Sequence, residues 1–456
     1  MSVILTAGEM RAAEQRAIDA GTPAETLMER AGRGAAEAVW RFAGPVPALI
    51  LCGPGNNGGD GYVVAHELKA RGVTVRVAAL AEPKTAAASS ARSLWDGPVE
   101  DVADAEPAPL LVDALFGTGL ARPLDEAVAA DLLRLGEAAR LRVAIDLPSG
   151  VSTDDGAILS PVPDYDLTIS FATLKPAHLL QPAARHMGRI AVVDIGIVAQ
   201  SVLSVIERPL LPAPGPDDHK YSRGYVAILA GEMPGAAALA ATSAARAGAG
   251  YVRLVAPAAV SGVPSAVVQA PSIDFAHDDV RLGAIVLGPG LGRGGEGKAL
   301  LERALGWQRP LILDGDALGL VGEHGLCPPA GAILTPHAGE FARLFPGGLP
   351  GSKVDQTREA ARQLGCVIVY KGPDTVVAAP DGRAAIAPPA PHWLASAGTG
   401  DVLAGVIGAL RARGLGPFEA TCAAAWLHGR AGAAAGPGLI ADDLIAELPQ
   451  ILAECL

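Results

Sequence analysis

The stretch that most constrains the fold is Leu49-Ile50-Leu51-Cys52 followed by Gly53-Pro54-Gly55-Asn56-Asn57-Gly58-Gly59-Asp60-Gly61. An apolar run suited to a buried strand enters a loop containing five glycines. A helix is expected from Tyr62 to Arg71, with Gly72 as its stop. Glycines let the backbone turn tightly and approach a ligand closely. Amide N–H groups at a helix start form an anion site. Asn56, Asn57 and Asp60 add side-chain donors and acceptors, which a plain glycine-rich turn does not need.

At 456 residues the chain has the length of two or three domains. Its 36 Lys and Arg stand against 48 Asp and Glu, a net charge of −12. That argues against nucleic-acid or anionic-membrane partners held by bulk charge. Nucleotides remain open, because amide-lined loops bind phosphate without net positive charge. The five cysteines are scattered and form no CxxC, which fits a reduced, cytoplasmic protein. Met1 to Leu5 is too short for a signal-peptide core, and no apolar segment has the length to span a bilayer.

Thr6-Ala7-Gly8-Glu9 fits a capping box that opens a first helix. Strand-like runs then alternate with helices: Thr74 to Ala79, Leu110 to Asp113, Val143 to Asp146, Leu167 to Phe171 and Ile190 to Asp194. This alternation predicts a parallel sheet covered on both faces, with ligands outside the carboxyl ends of the strands. Asn57, Asp60, Asp113, Gly117, Asp146 and Ser149 all follow strand ends. The plainer readings are turn caps for Asp113 and Asp146, and a surface lysine for Lys175.

The motifs GPGNNGGDG, DALFGTGL and DLPSGVS, in this order, resemble the NAD(P)H-hydrate epimerase domain over about the first 205 residues. The resemblance implies a Rossmann-like domain that interconverts the two C6 epimers of hydrated NAD(P)H. By that similarity Asn56, Asn57, Gly58, Gly59 and Asp60, with Gly117, Thr118, Gly119, Leu120, Ala121, Arg122 and Pro123, would hold the substrate. Asp146 would touch the reacting ring. Asp146 and Lys175 are the catalytic candidates of this half, the role of Lys175 being left open. Asn57, Asp113 and Ser149 would hold a potassium ion.

Arg208 to Asp218 carries Pro209, Pro212, Pro214 and Pro216 and reads as a stiff connection. A second alternating pattern follows, with a hairpin expected at Pro380-Asp381-Gly382. Its strongest local signal is Ser396-Ala397-Gly398-Thr399-Gly400-Asp401-Val402-Leu403-Ala404-Gly405. Small residues open an apolar helix whose amides can receive the oxygens of a transferring phosphoryl group. Asp401 is placed to take a hydroxyl proton, the plainer alternative being a favourable charge at a helix start.

His219-Lys220, MPGAA, GPGLG, TPHAGE, KGPDT and AGTGDVLAG resemble, in order, the ADP- or ATP-dependent NAD(P)H-hydrate dehydratase of the ribokinase-like fold, over residues 217 to 456. By similarity Lys371, Gly372, Pro373, Asp374, Thr375, Gly398, Thr399 and Gly400 would contact the adenine nucleotide. Ala237, Ala238, Gly290, Gly292, His337 and Asp401 would face the hydrated nicotinamide nucleotide. Tyr221-Ser222-Arg223 replaces expected small residues, and Pro391-His392-Trp393-Leu394 replaces an expected Asn-Pro-Gly.

The expected architecture is therefore α/β, with two doubly wound three-layer domains. These are a Rossmann-like domain at 1–207 and a ribokinase-like domain at 217–456, joined by a linker at 208–216. The two resemblances together imply repair of hydrated NADH and NADPH. One domain would epimerise the R and S forms. The other would dehydrate the S form at the expense of ADP or ATP with magnesium. A homo-oligomer without nucleic-acid or membrane partners is expected. The rival readings are a ribokinase-class small-molecule kinase with a nucleotide-sensing N-terminal half, and a non-enzymatic scaffold.

Overall fold

A computed structural model of the chain describes residues 2–272 and 279–456. It divides into two compact units, Ser2–Ser201 and Val202–Leu456.

The first unit opens with α1 (Ala7–Asp19) and α2 (Ala24–Ala43), then β1 (Ala48–Cys52), α3 (Asn56–Ala70), β2 (Val75–Ala79), α4 (Ala86–Ser93) and β3 (Val99–Asp101). It continues through β4 (Leu110–Ala114), α5 (Glu126–Ala138), β5 (Leu141–Ile145), β6 (Leu167–Phe171) and β7 (Arg189–Val193). The capping box forms: Glu9 N donates to Thr6 Oγ1 at 3.2 Å, and Thr6 N donates to Glu9 Oε2 at 2.8 Å. The sheet order is β3-β2-β1-β4-β5-β6-β7, with every pairing parallel. The order reverses at β1 and β4, and in such sheets ligands bind where the order reverses.

Helix α3 begins at Asn56, ahead of the Tyr62 start expected from the sequence. The loop glycines are the reason. A Cβ on Gly58 would fall 1.8 Å from the Gly53 carbonyl oxygen, and one on Gly59 would meet Met28 Sδ at 2.5 Å. Without side chains these residues coil directly behind the strand, so the α3 amides start at the strand end.

The second unit runs β8 (Leu203–Val205), β9 (Tyr225–Leu229), α6 (Pro234–Arg246), β10 (Tyr251–Val255), β11 (Val268–Ala270), β12 (Leu282–Leu287) and α7 (Gly295–Leu305). Next come β13 (Leu311–Leu313), α8 (Asp316–His324), β14 (Ile333–Leu334), α9 (Ala338–Leu344), α10 (Lys353–Leu364) and β15 (Val367–Tyr370). It closes with β16 (Val376–Ala378), β17 (Ala384–Ile386), α11 (Thr399–Ala412), α12 (Pro417–Ala435) and α13 (Ala441–Ala453). Among the described residues the sheet order is β11-β10-β9-β12-β13-β14-β15-β16-β17-β8. The β16–β17 hairpin is antiparallel, with Gly382 at φ 91° in its turn. Helices α6 and α11 touch closely, because a Cβ on Gly405 would lie 2.1 Å from the Ala240 carbonyl oxygen.

The boundary differs from the expected 207/208 division. Residues assigned to the end of the first domain and to the linker pack into the second unit. Strand β8 pairs with β17, Leu203 and Ile206 are buried, and Leu211 N donates to the Cys455 carbonyl at 2.8 Å. The prolines stiffen this connection, and Leu210 is exposed, but Ile206 before it and Leu211 within it belong to the core of the second unit. Among the described residues no helix is long and apolar enough to cross a membrane. All five cysteines are free.

Candidate functional site

In the first unit a cavity of about 510 Å³ opens where the loops after β1, β4, β5 and β6 converge. Asn56, Asn57, Asp60, Gly117, Thr118, Gly119, Leu120, Asp146 and Lys175 all line it. Gly58 and Gly59 are not among the lining residues; at each, a Cβ would collide with neighbouring atoms of the fold. Arg122 and Pro123 line a separate hollow of about 220 Å³ with Phe116 and Leu120, and Ala121 lines neither.

Asp146 is the centre of this cavity. Lys175 Nζ donates to its Oδ1 at 2.6 Å, and the Thr118 amide donates to Oδ2 at 2.7 Å, joined by the Thr118 hydroxyl. Lys175 is 1% exposed, which removes the surface-lysine reading. Its ammonium also donates to Ser170 Oγ and to the Phe171 carbonyl, each at 3.0 Å. Burial alone would raise the Asp146 carboxyl, but the Lys175 charge and these hydrogen bonds hold it below the ordinary range. Asp146 also has φ 64°, unusual for a residue with a side chain. Two hydrogen bonds pin that backbone: Asp146 N to the Ile169 carbonyl at 2.7 Å, and His178 Nε2 to the Asp146 carbonyl at 2.8 Å. His178 Nδ1 accepts the Lys175 amide at 2.9 Å, so Nε2 carries the proton. Burial, with Lys175 nearby, pushes His178 down to about 4, so it is neutral.

Asp60 has the opposite environment. It is 8% exposed, and burial, then the charges of Asp146 and Glu14, hold its carboxyl well above the ordinary range. Asp113 lies behind the cavity and is fully buried. Its oxygens accept from Leu115 N, Ser149 N, Ser149 Oγ and Tyr165 OH, at 3.1, 2.9, 2.6 and 2.5 Å. Ser149 Oγ also lies 3.2 Å from the Phe116 carbonyl oxygen. Asn57 lines the cavity, and its Nδ2 is buried without a hydrogen-bond partner. Asp113 therefore ties the end of β4 to the loop after β5, and the oxygens gathered at Ser149 are of a type that suits a hard cation.

In the second unit a cavity of about 740 Å³ is lined by His337, Lys371, Gly372, Pro373, Thr375, Thr399 and Gly400. Helix α11 enters beside it from Gly398, at φ 87°. A Cβ on Gly400 would sit 3.3 Å from Lys371 Nζ and 3.8 Å from Asp314 Oδ2, so the helix start faces a lysine and a carboxylate. Lys371 Nζ donates to Asp314 Oδ1 at 2.6 Å and lies 3.9 Å from Glu340 Oε2. Thr335 Oγ1 donates to the same Asp314 oxygen at 2.6 Å. Burial, then the charge of Asp314, pushes Asp401 up to about 7 against the pull of Lys371.

The remaining expected residues are placed as follows. His337 caps α9, its Nδ1 accepting Gly339 N at 3.0 Å, and it also lines the cavity. Asp374 does not line the cavity; its carboxylate pairs with Lys353 at 2.5 Å. Ala237, Ala238, Gly290, Gly292, Gly398 and Asp401 lie outside the lining too, the last two flanking Thr399 and Gly400, which line it. The loop of Gly290 and Gly292 is instead tied to the 314–316 loop, with Gly292 N donating to Asp316 Oδ2 at 2.9 Å. Of the unexpected residues, Pro391, His392 and Leu394 line the cavity, while Tyr221 packs on Tyr225 and Tyr251 with ring centroids 6.2 and 5.4 Å away. Sequence reasoning missed His178, Thr118 as a ligand of Asp146, Glu14 and Asp314. Only Asp314, directly after a strand, carried a signal.

The family described as YjeF-related protein N-terminus matches residues 24–177, and that described as NAD(P)H-hydrate dehydratase matches residues 226–450. The bifunctional NAD(P)H-hydrate repair enzyme Nnr of Salinibacter ruber is 36% identical, over 99% of this chain and 96% of that protein. The protein of the same name from Escherichia coli is 34% identical, over 98% and 93%. A ribokinase-like superfamily protein from Enterococcus faecalis, 22% identical, covers 57% of this chain and 98% of its own at a TM-score of 0.51, a likeness of fold. With identity at this level over nearly the whole of both chains, this protein belongs to the bifunctional NAD(P)H-hydrate repair enzyme family.

Proposed function

We propose that the chain repairs hydrated NADH and NADPH at two sites. The first unit interconverts the R and S hydrates, and the second dehydrates the S form with ADP or ATP. The observation that carries this reading is the pair of opposite electrostatic designs. Asp146 is held ionised by Lys175, whereas Asp401 is held near 7 at a helix start beside Lys371.

In the first unit the ionised Asp146 faces the positive charge that develops on the ring nitrogen as the hydroxyl leaves C6. Asp60, kept uncharged by burial, supplies the proton that turns that hydroxyl into water. Asn57, Asp113 and Ser149 would hold potassium, which when bound would brace the loops after β1, β4 and β5. In the second unit Asp401 takes the proton of the ring hydroxyl as its oxygen attacks the phosphoryl group. The amides of 398–400 and Lys371 stabilise the transferred group, and phosphate then leaves far more readily than hydroxide. Lys371, Gly372, Pro373 and Thr375 line the nucleotide cavity. Among the described residues no three His, Cys, Asp or Glu are grouped to hold a metal alone. Magnesium would therefore ride on the nucleotide phosphates, using one or two carboxylates such as Asp314 and Glu340.

The test is to incubate the pure protein with hydrated NADH plus ADP, and separately ATP, and follow NADH absorbance. Regenerated NADH from both epimers supports the reading. A stable phosphorylated product without NADH would favour the kinase alternative.

A further inference from the structure

Glu14, on α1, lies in no motif, yet it lines the same cavity as Asp60, Asp146 and Lys175. Three carboxyl groups thus meet one buried lysine. That lysine is fully committed, since its ammonium donates to Asp146 Oδ1, Ser170 Oγ and the Phe171 carbonyl. It has no proton left for Asp60 or Glu14. Asp60 is 8% exposed, and no hydrogen bond to its carboxyl is found among the described residues; the same holds for Glu14. Two like-charged carboxyls in one cavity, with no cation hydrogen-bonded to either, cannot both ionise cheaply.

We propose that Glu14 is a second acid of this site, forming with Asp60 a pair that holds one proton for the epimerisation. The inference rests on the epimerase reading and assigns the site a further residue. The step balances. The pair gives its proton to the hydroxyl on C6, the C6–O bond breaks with its electrons going to oxygen, and water forms. The ring-nitrogen lone pair closes an N1=C6 double bond, whose positive charge faces Asp146. Water returns to the other face, its lone pair forms the new C6–O bond, and the N1=C6 electrons return to nitrogen. The proton released by that water, on the face away from the pair, returns to the pair by exchange through solvent water. No oxidant or further reactant is required.

The charges facing the pair are Arg11 on α1, Asp146 after β5, Lys175 after β6 and, at the cavity lining, Lys84. Burial, then Asp146, holds Glu14 above its ordinary range, in keeping with a retained proton.

The experiment compares the full-length protein with Glu14→Gln and Glu14→Asp. Each is given a single epimer of hydrated NADH, and kcat and KM of epimerisation are measured between about pH 5 and 9. Glu14→Gln is expected to lower kcat about 100-fold with little change in KM. The loss of rate at high pH should move to lower pH, because Asp60 loses its like-charged neighbour. Glu14→Asp should recover much of the rate. Dehydration of the S epimer by the same samples checks that the chain is intact. An unchanged kcat in Glu14→Gln, or equal damage in both variants with the high-pH limb unmoved, would overturn the proposal while leaving the epimerase reading in place. Absence of epimerisation in the unaltered protein would instead remove the reading on which it rests.

Discussion

Lys175 Nζ stands 2.6 Å from Asp146 Oδ1, and the lysine side chain is 1% exposed. Asp146 is buried, so the counter-charge that solvent cannot supply to its carboxylate comes from the ammonium. Removing one partner of a buried ion pair costs about 3–5 kcal/mol. Lys175→Met is expected to destabilise the first unit by that order and to abolish epimerisation. Adding Asp146→Asn should recover much of the stability and none of the activity. Denaturant unfolding of the single and double variants measures this, and additive losses would contradict a direct pair.

Asp113 joins two strand ends through hydrogen bonds to the backbone and side chain of Ser149. Asp113→Ala should leave Tyr165 and Ser149 without their acceptor and loosen the loops that line the cavity. Epimerisation should fall at least about tenfold, as expected when a buried network is broken. Dehydration of the S epimer should persist. Assaying epimerisation in potassium and in choline salts separates the two roles. If the unaltered protein shows no potassium dependence, Asp113 acts through its hydrogen bonds alone.

Strand β8 and the buried Leu203, Ile206 and Leu211 complete the second unit. A fragment of residues 202–456 should therefore fold and dehydrate the S epimer. A fragment starting at residue 217 should be less stable by several kcal/mol, since each buried leucine or isoleucine contributes about 1.5–3 kcal/mol. Equal unfolding midpoints for the two fragments would restore the boundary read from the prolines.

Sequence patterning carried the alternation of strands and helices, because buried parallel strands are short apolar runs between glycine and proline signals. It also carried the loops that line both cavities. The boundary at residue 202 was hidden, because a three-residue edge strand leaves too short a pattern beside four prolines. Asp60 and Asp146 were visible as residues, but their opposite charge states were not. Those depend on which side chain reaches which oxygen: Lys175 lies 29 residues from Asp146. His178 and Glu14 look like ordinary helix or turn residues in one dimension. Asp374 shows the converse: its place in the motif did not reveal that its carboxylate pairs with Lys353.

The Asp401 carboxyl titrates at about 7 in the folded chain. Its unfolded value is about 4. A carboxyl raised by folding opposes folding once it ionises, so stability falls as pH rises from about 4 through 7. Asp401→Asn removes that loss. Above neutral pH the variant should be more stable by about 2–4 kcal/mol, and near pH 4 it should match the unaltered protein. Chemical denaturation at both pH values checks this; a variant less stable at pH 8 would refute the buried-charge account.

The most direct measurement of the two-site account follows both epimers of hydrated NADH chromatographically with Asp401→Asn in the presence of ADP, and separately ATP. In the unaltered protein both epimers should be consumed, with a dehydration rate that rises with pH through about 7 as Asp401 ionises. In the variant NADH regeneration should fall by about 10²–10⁴-fold, the usual cost of losing a general base. Interconversion of the R and S forms, which uses Asp60 and Asp146, should continue at its normal rate. Near-normal regeneration of NADH would remove Asp401 as the base, and loss of both activities together would contradict two separate sites.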